Sequence, residues 1–359
     1  MMNRSIMLLT MAGVLCTCQE YYTDPDITAG SEYIVIEGTI TNEPGPYRIR
    51  ISRTWPYNRS ADQVQDTVQV SGAVVVISDN TGMADTCLES WPGWYYTTGI
   101  RGETGKSYLL DILMPDGTAY RSESCTMADP AGFDSIYAEQ GRRTVLNPYG
   151  TGSYFEKIQD GLYLYVDARA PATEYYFKID TRVVKEILHM EWSIVPSGDS
   201  YMQLIKVYCW EISTLHNDKD LVSSLTGSTE LIRKQPAGFV TPEKVKAGQN
   251  YLIGVFATTT ISALPKRIFE IFTQLDRQSD PSNSLFDPIP TRIETNIACT
   301  NDPGRLVLGY FSAAAISRKM RFFRLKTDGV EAKDMNPGYI LPVVDDCTGG
   351  VLPDFWIDH

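Results

Sequence analysis

The sequence predicts a mainly β protein: an N-terminal immunoglobulin-like β-sandwich, then a β-rich second domain with a helical insertion. Three observations lead there. Tyr is abundant at 21 copies, beside 27 Gly and 20 Pro. Tyr favours strands, while Gly and Pro punctuate turns. Short apolar runs, several alternating with period two, recur through the first third with no helical pattern between them. A clear helical spacing appears only late in the chain.

Residues 1–17 read as a signal peptide. Arg4 gives a positive start, and Ile6 to Leu15 is almost wholly apolar. Ten residues are too few to span a bilayer as a helix and suit a signal h-region. The run ends in Leu15-Cys16-Thr17-Cys18. A bacterial lipoprotein signal needs a Leu-like residue three positions before the acylated cysteine and small residues between. Cys18 meets this with Leu15, whereas Cys16 directly follows the bulky Leu15. Cys18 is therefore the expected lipidation site, and a multiply acylated cysteine anchors stably in a membrane. Residues 18–30 form an acidic tether with Glu20, Asp24 and Asp26.

Residues 31–128 form the expected sandwich. Tyr33–Thr41 and the alternating Tyr47, Ile49 and Ile51 flank the turn Asn42–Pro46. Further strands are expected at Val68–Ser78, around Tyr95-Tyr96, and at Tyr108–Met114 and Ala119–Ser124, the last two joined by Pro115-Asp116-Gly117. Residues 129–359 form the second domain. Strands are expected at Leu162–Ala168, Tyr175–Val183, Leu204–Ile212 and Tyr251–Thr260, with late strands at Arg305–Ala315 and Met320–Leu325. Val183–Met190 suits either a short helix or a strand extension. Leu264, Ile268, Ile271, Phe272 and Leu275 place a helix near 263–277, with Ser262 as its expected N-cap.

The formal net charge of −12 repels phosphates, and no Lys/Arg-rich stretch offsets it, so nucleic-acid binding is not expected. Three histidines are too few to suggest a multi-His metal site or a Ser–His–Asp hydrolase. No nucleophile elbow, zinc-protease motif, phosphate loop or calcium loop is present. No cofactor or metal is predicted, and the chain is not read as an enzyme. The adjacent acids Asp345-Asp346 would face opposite ways on a strand. Five cysteines lie beyond Cys18, without C-x-x-C spacing; the odd number allows at most two bridges, Cys87–Cys125 is a candidate inside the first domain, and spacing does not fix the connectivity.

Aromatic clusters are the candidate contacts for a partner or ligand. Trp91, Trp94, Tyr95 and Tyr96 come first, and Trp55 and Tyr57 second. Trp and Tyr are rigid and amphipathic, which suits binding anchors. Alternation along a strand sends at least one of Trp94-Tyr95-Tyr96 outward.

The chain resembles the Bacteroidetes lipoproteins grouped as the domain-of-unknown-function 4249 family. The likeness lies in Val35-x-Glu37-Gly38-x-Ile40-Thr41-Asn42, Gly45-Pro46-Tyr47, Ser52-Arg53-Thr54, Ser71-Gly72-Ala73-x-Val75, Ser78-Asp79-x-x-Gly82 and Asp116-Gly117-x-x-Tyr120-x-Ser122. It continues in Cys209-Trp210, Asn296-Ile297, Gly309-Tyr310-Phe311 and Pro353-Asp354-Phe355-Trp356. The resemblance implies an outer-membrane lipoprotein associated with a TonB-dependent β-barrel transporter of the kind that imports nutrients. It carries no catalytic residues. The expected role is binding or accessory. The rival readings are a surface hydrolase built on distant carboxylates, and an envelope adhesin or scaffold.

Overall fold

The computed structural model describes residues 32–54, 68–149, 153–171, 174–195, 201–215, 220–224, 231–241, 249–279, 293–326 and 329–335. Strict alternation sets the first strand. In β1 (Ile34–Thr41) every second residue is buried, including Ile34, Ile36 and Ile40. Burying each such side chain contributes roughly 1.5–3 kcal/mol. β1 pairs antiparallel with β2 (Arg48–Arg53), which turns Ile49 and Ile51 inward. β2 also pairs with β3 (Val68–Gln69) and with β7 (Trp94–Tyr96), which pairs with β6 (Leu88–Trp91).

A second sheet faces the first across a shared core. It holds β4 (Val74–Asp79), β5 (Ala84–Thr86), β8 (Ser107–Leu113), β9 (Ala119–Ser122) and β10 (Cys125–Thr126). Val75, Ile77, Tyr108, Leu110, Ile112 and Tyr120 from this sheet join Ile36, Ile49 and Tyr95 from the other in one buried cluster.

Later chain completes both sheets. The sequence sets a boundary at residue 128, yet β18 (Ile297–Cys299) pairs with β9. β19 (Val307–Lys326) runs 20 residues. Its first part lies parallel to β1, and its second part pairs antiparallel with β17 (Gln249–Ala263) and β20 (Gly329–Met335). One strand therefore joins the two units. The sequence suggests two strands here because Ser317-Arg318-Lys319 interrupts the apolar pattern. Those residues reach sideways instead: Ser317 donates to the Ala131 carbonyl, Arg318 to Glu43, and Lys319 to the Asp134 carbonyl.

The second unit is also layered. β11 (Gly132–Tyr149), β12 (Ser153–Arg169) and β16 (Leu231–Val240) form a three-stranded sheet. Its Leu162, Leu164 and Val166 pack in one core with Val183 of β13 (Tyr175–Val195), Val255 of β17 and Phe323 of β19. β13 also pairs with β14 (Tyr201–Leu215) and β15 (Leu221–Ser224). Val183–Met190 is strand, within β13.

The helix α1 (Lys266–Ser279) begins later than expected. Ser262 is no N-cap: it lies in β17, paired with Lys178 and Ile316. The Pro265 carbonyl instead accepts from the Ile268 and Phe269 amides. The apolar stripe docks inward, with Ile268 and Ile271 buried against Ala314 and Phe272 edge-on to Tyr310.

The candidate Cys87–Cys125 bridge is absent. Both are free, buried thiols. Cys125 turns toward β19 and meets the Phe311 carbonyl, while Cys87 sits at the β4–β5 edge, where its amide donates to Val75. Burial pushes the Cys87 thiol up to about 12 and the Cys125 thiol up to about 11. Cys209 is disulfide-bonded.

Candidate functional site

The aromatic run 91–96 forms a hairpin whose turn requires glycine. Gly93 has φ +75°, and a Cβ there would lie 2.5 Å from the Ile51 carbonyl. This turn fixes which ring goes where. Tyr95 enters the core, donating to the Val70 carbonyl and accepting from the Ala73 amide. Trp94 and Tyr96 take the other face, half-buried. The Arg48 and Arg50 guanidinium groups sit 4.6 and 5.1 Å from the Trp94 ring centre. Trp91 projects into solvent, 72% exposed.

Glu89 makes the hairpin rigid. Its carboxylate accepts from the Ser71 hydroxyl and from the Gly72 and Gly93 amides. Burial opposes its ionisation, but these hydrogen bonds outweigh burial and hold the carboxyl below its ordinary range. β6 lies at the end of its sheet, and among the described residues it pairs with β7 alone. Leu88 and Trp91 are both exposed on it. An edge strand with exposed apolar side chains is a natural docking line for another chain. Trp55, Tyr57 and Cys18 lie outside the described residues.

A second aromatic surface escaped the sequence reading. Leu162, Leu164 and Val166 face the core, so Tyr163, Tyr165 and Asp167 face outward from β12. Tyr137 lies opposite Tyr165 on β11, and Phe239 opposite Tyr163 on β16. Tyr137 and Tyr165 have ring centres 5.7 Å apart, Tyr163 and Tyr165 6.3 Å, and Tyr163 and Phe239 4.5 Å. The signal available in sequence was Tyr at alternate positions on the polar side of a strand.

Charged groups frame these rings. The Lys234 ammonium lies 4.9 Å from the Tyr165 ring centre and 2.8 Å from both oxygens of Glu139. Its hydrogen bond with Glu139 pushes the Lys234 pKa up. Asp167 accepts from the Ser135 and Tyr137 hydroxyls and from the Lys234 amide. Arg143 sits 4.6 Å from the Phe239 ring centre.

Two further features complete the second unit. A cleft of about 640 Å³ opens beside the β11–β12 hairpin, lined by Arg142, Lys157, Asp160, Tyr251, Leu252 and others. Its Thr241 carbonyl accepts from Lys185, which forms a buried 2.9 Å ion pair with Glu211. The outer face of β13 and its neighbours also carries exposed Trp192, Leu204, Tyr208 and Tyr251.

Three carboxylates are buried among the described residues: Asp85, Glu186 and Glu211. Asp85 lies in the first unit. Glu186 pairs across with Trp210, while Glu211 pairs with Lys185, so the two glutamates point to opposite faces of their sheet. No group of three or more His, Cys, Asp or Glu among the described residues could hold a metal ion.

A family model described as a domain of unknown function, DUF4249, matches residues 20–320. No curated protein and no solved structure matches the chain.

Proposed function

The chain belongs to the DUF4249 family, and on that basis we propose that it is a lipid-anchored outer-membrane accessory protein serving a TonB-dependent β-barrel transporter in nutrient uptake. In this reading Cys18 carries the lipid, the acidic tether spaces the body from the membrane, and the two sandwiches present a docking surface. One observation carries the docking role. Trp91 is held largely out in solvent on a hairpin that Glu89 and Gly93 lock in place, at a strand edge. A rigid exposed Trp loses little entropy on contact and is the residue type that dominates interface energetics.

The test is affinity purification of the tagged chain from its native outer membrane in gentle detergent, with mass spectrometry of whatever accompanies it. A stoichiometric large β-barrel is expected, reduced at least tenfold by Trp91→Ala without loss of the lipoprotein's own thermal transition. Cys18→Ala should release the chain from the membrane fraction. A chain that purifies alone overturns the accessory role and leaves a free-standing adhesin or hydrolase.

A further inference from the structure

We propose that the outer face of the β11–β12–β16 sheet is a binding platform for a neutral saccharide. This site is separate from the Trp91 hairpin and does not depend on the transporter partnership.

The rings are placed by the backbone. Gly141 and Gly161 face each other across β11 and β12. A Cβ on Gly141 would lie 2.7 Å from the Tyr163 ring, and one on Gly161 would lie 2.5 Å from the Phe239 ring. The missing side chains are the space these rings occupy, lying down on the strands. The Tyr163 hydroxyl donates to the Arg142 carbonyl, which ties that ring along the sheet. Tyr165 is inclined only 23° to Tyr163, and Tyr137 only 30° to Tyr165. Two nearly parallel tyrosines and a third tilted against them, each partly buried, make a continuous aromatic strip.

The strip is built at a local cost. Lys234 has φ +53°, the one positive φ among the described residues other than glycine. The β12–β16 pairing slips between Leu164 and Tyr165 and again between Val166 and Ala168. Bulges re-aim side chains, and left-handed backbone at a non-glycine residue persists where the surroundings enforce it. Here the Asp167 carboxylate accepts the strained residue's amide, and Glu139 and Tyr165 receive its ammonium.

Charge balance selects the ligand class. Lys234 is paired with Glu139, while Arg143, opposite Gln159, and Asp167 lie at opposite ends of the strip, so these four charges sum to zero and the platform offers no cluster of cations to a phosphate, sulfate or uronic acid. Lys234 and Arg143 lie over the Tyr165 and Phe239 rings, and the apolar ring surface they leave uncovered is bordered by fixed donors and acceptors. That suits a polyhydroxylated ring compound, with apolar C–H faces and hydroxyl edges, better than a purely apolar or a charged one.

The test is native affinity electrophoresis of the detergent-solubilised full-length chain. The gels would contain soluble β-glucan, xylan, mannan or starch-type α-glucan, with polygalacturonate as the anionic control. Retardation by at least one neutral polymer is expected. Replacing Tyr163 and Tyr165 together by Ala should weaken it at least about tenfold, while Trp91→Ala should leave it unchanged. Lys234→Gly guards against misfolding, since glycine accepts the left-handed backbone; it should weaken binding with the melting temperature held or raised. Retardation by polygalacturonate alone, none by any neutral polymer, or full binding by the folded tyrosine variant would overturn the proposal. A positive result with no co-purifying barrel would sink the transporter reading and leave this one standing.

Discussion

The two sandwiches use the same two-layer plan on different scales. Strands of the first unit run from two to eight residues, and two of its buried polar side chains, Asp85 and Asn296, are tied back to backbone. Asp85 accepts from the Thr98, Gly99 and Ile100 amides and the Thr98 hydroxyl. Asn296 exchanges two hydrogen bonds with the Phe311 backbone. In the second unit, β13 runs 21 residues and β11 runs 18. The long strands outrun their core, so Phe155 and Ile158 of β12, Trp192 of β13 and Leu204 of β14 stand in solvent. The first unit leaves Val74, Leu88, Trp91 and Leu113 exposed on short strands, whereas the second leaves its exposed apolar side chains on strand lengths that run past its core. Exposed apolar surface of either kind offers contact area.

The contrast is tested most strongly by truncating one large ring in each unit. Phe311 is fully buried at the joint between β1 and β19, beside Gly309, where a Cβ would lie 2.0 Å from the Ile36 carbonyl. Phe311→Ala should cost about 3–5 kcal/mol through lost burial and a residual cavity. Trp192 is 65% exposed. Trp192→Ala should fall within about 0.5 kcal/mol of wild type. Denaturant melts read both. Equal losses would mean that the long hairpin of β13 and β14 is as integral to stability as the joint.

The same contrast explains what the sequence could reveal. Alternation at Ile34, Ile36, Ile49 and Ile51 is visible because one face of each strand meets a core. The sequence also shows that one ring of the 94–96 run must face out. It does not show which, because the Gly93 turn sets the register. The Tyr163–Phe239 platform brings together strands distant in sequence, and no local pattern marks that pairing. Some family signatures prove structural: Asn296, Gly309 and Phe311 are a clamp and a close approach that hold β19 on β1. Cysteine spacing failed because direction matters more than proximity in sequence. Cys125 points at β19, not at Cys87.

A smaller and sharper comparison sets two carboxylates against each other. Asp85 is buried, and Asp160 pairs with Arg142 at 2.6 Å with both side chains about three-quarters exposed. Burial, the largest single influence on Asp85, opposes its ionisation, yet the hydrogen bonds from Ile100, Thr98 and Gly99 together prevail and hold its pKa below the ordinary 3.8. Its stabilisation is therefore complete above the unfolded-state carboxyl pKa and is lost as pH falls through the lowered folded value. Asp85→Asn should cost about 1–3 kcal/mol at neutral pH, and the gap to wild type should close below about pH 4. Asp160→Asn should leave the melting temperature unchanged at physiological salt, because an exposed pair is screened and gains little. Thermal melts of both variants from pH 7 down to 3 would decide it. A pH-independent deficit in Asp85→Asn would mean the loop at 97–100 is held by packing rather than by the carboxylate.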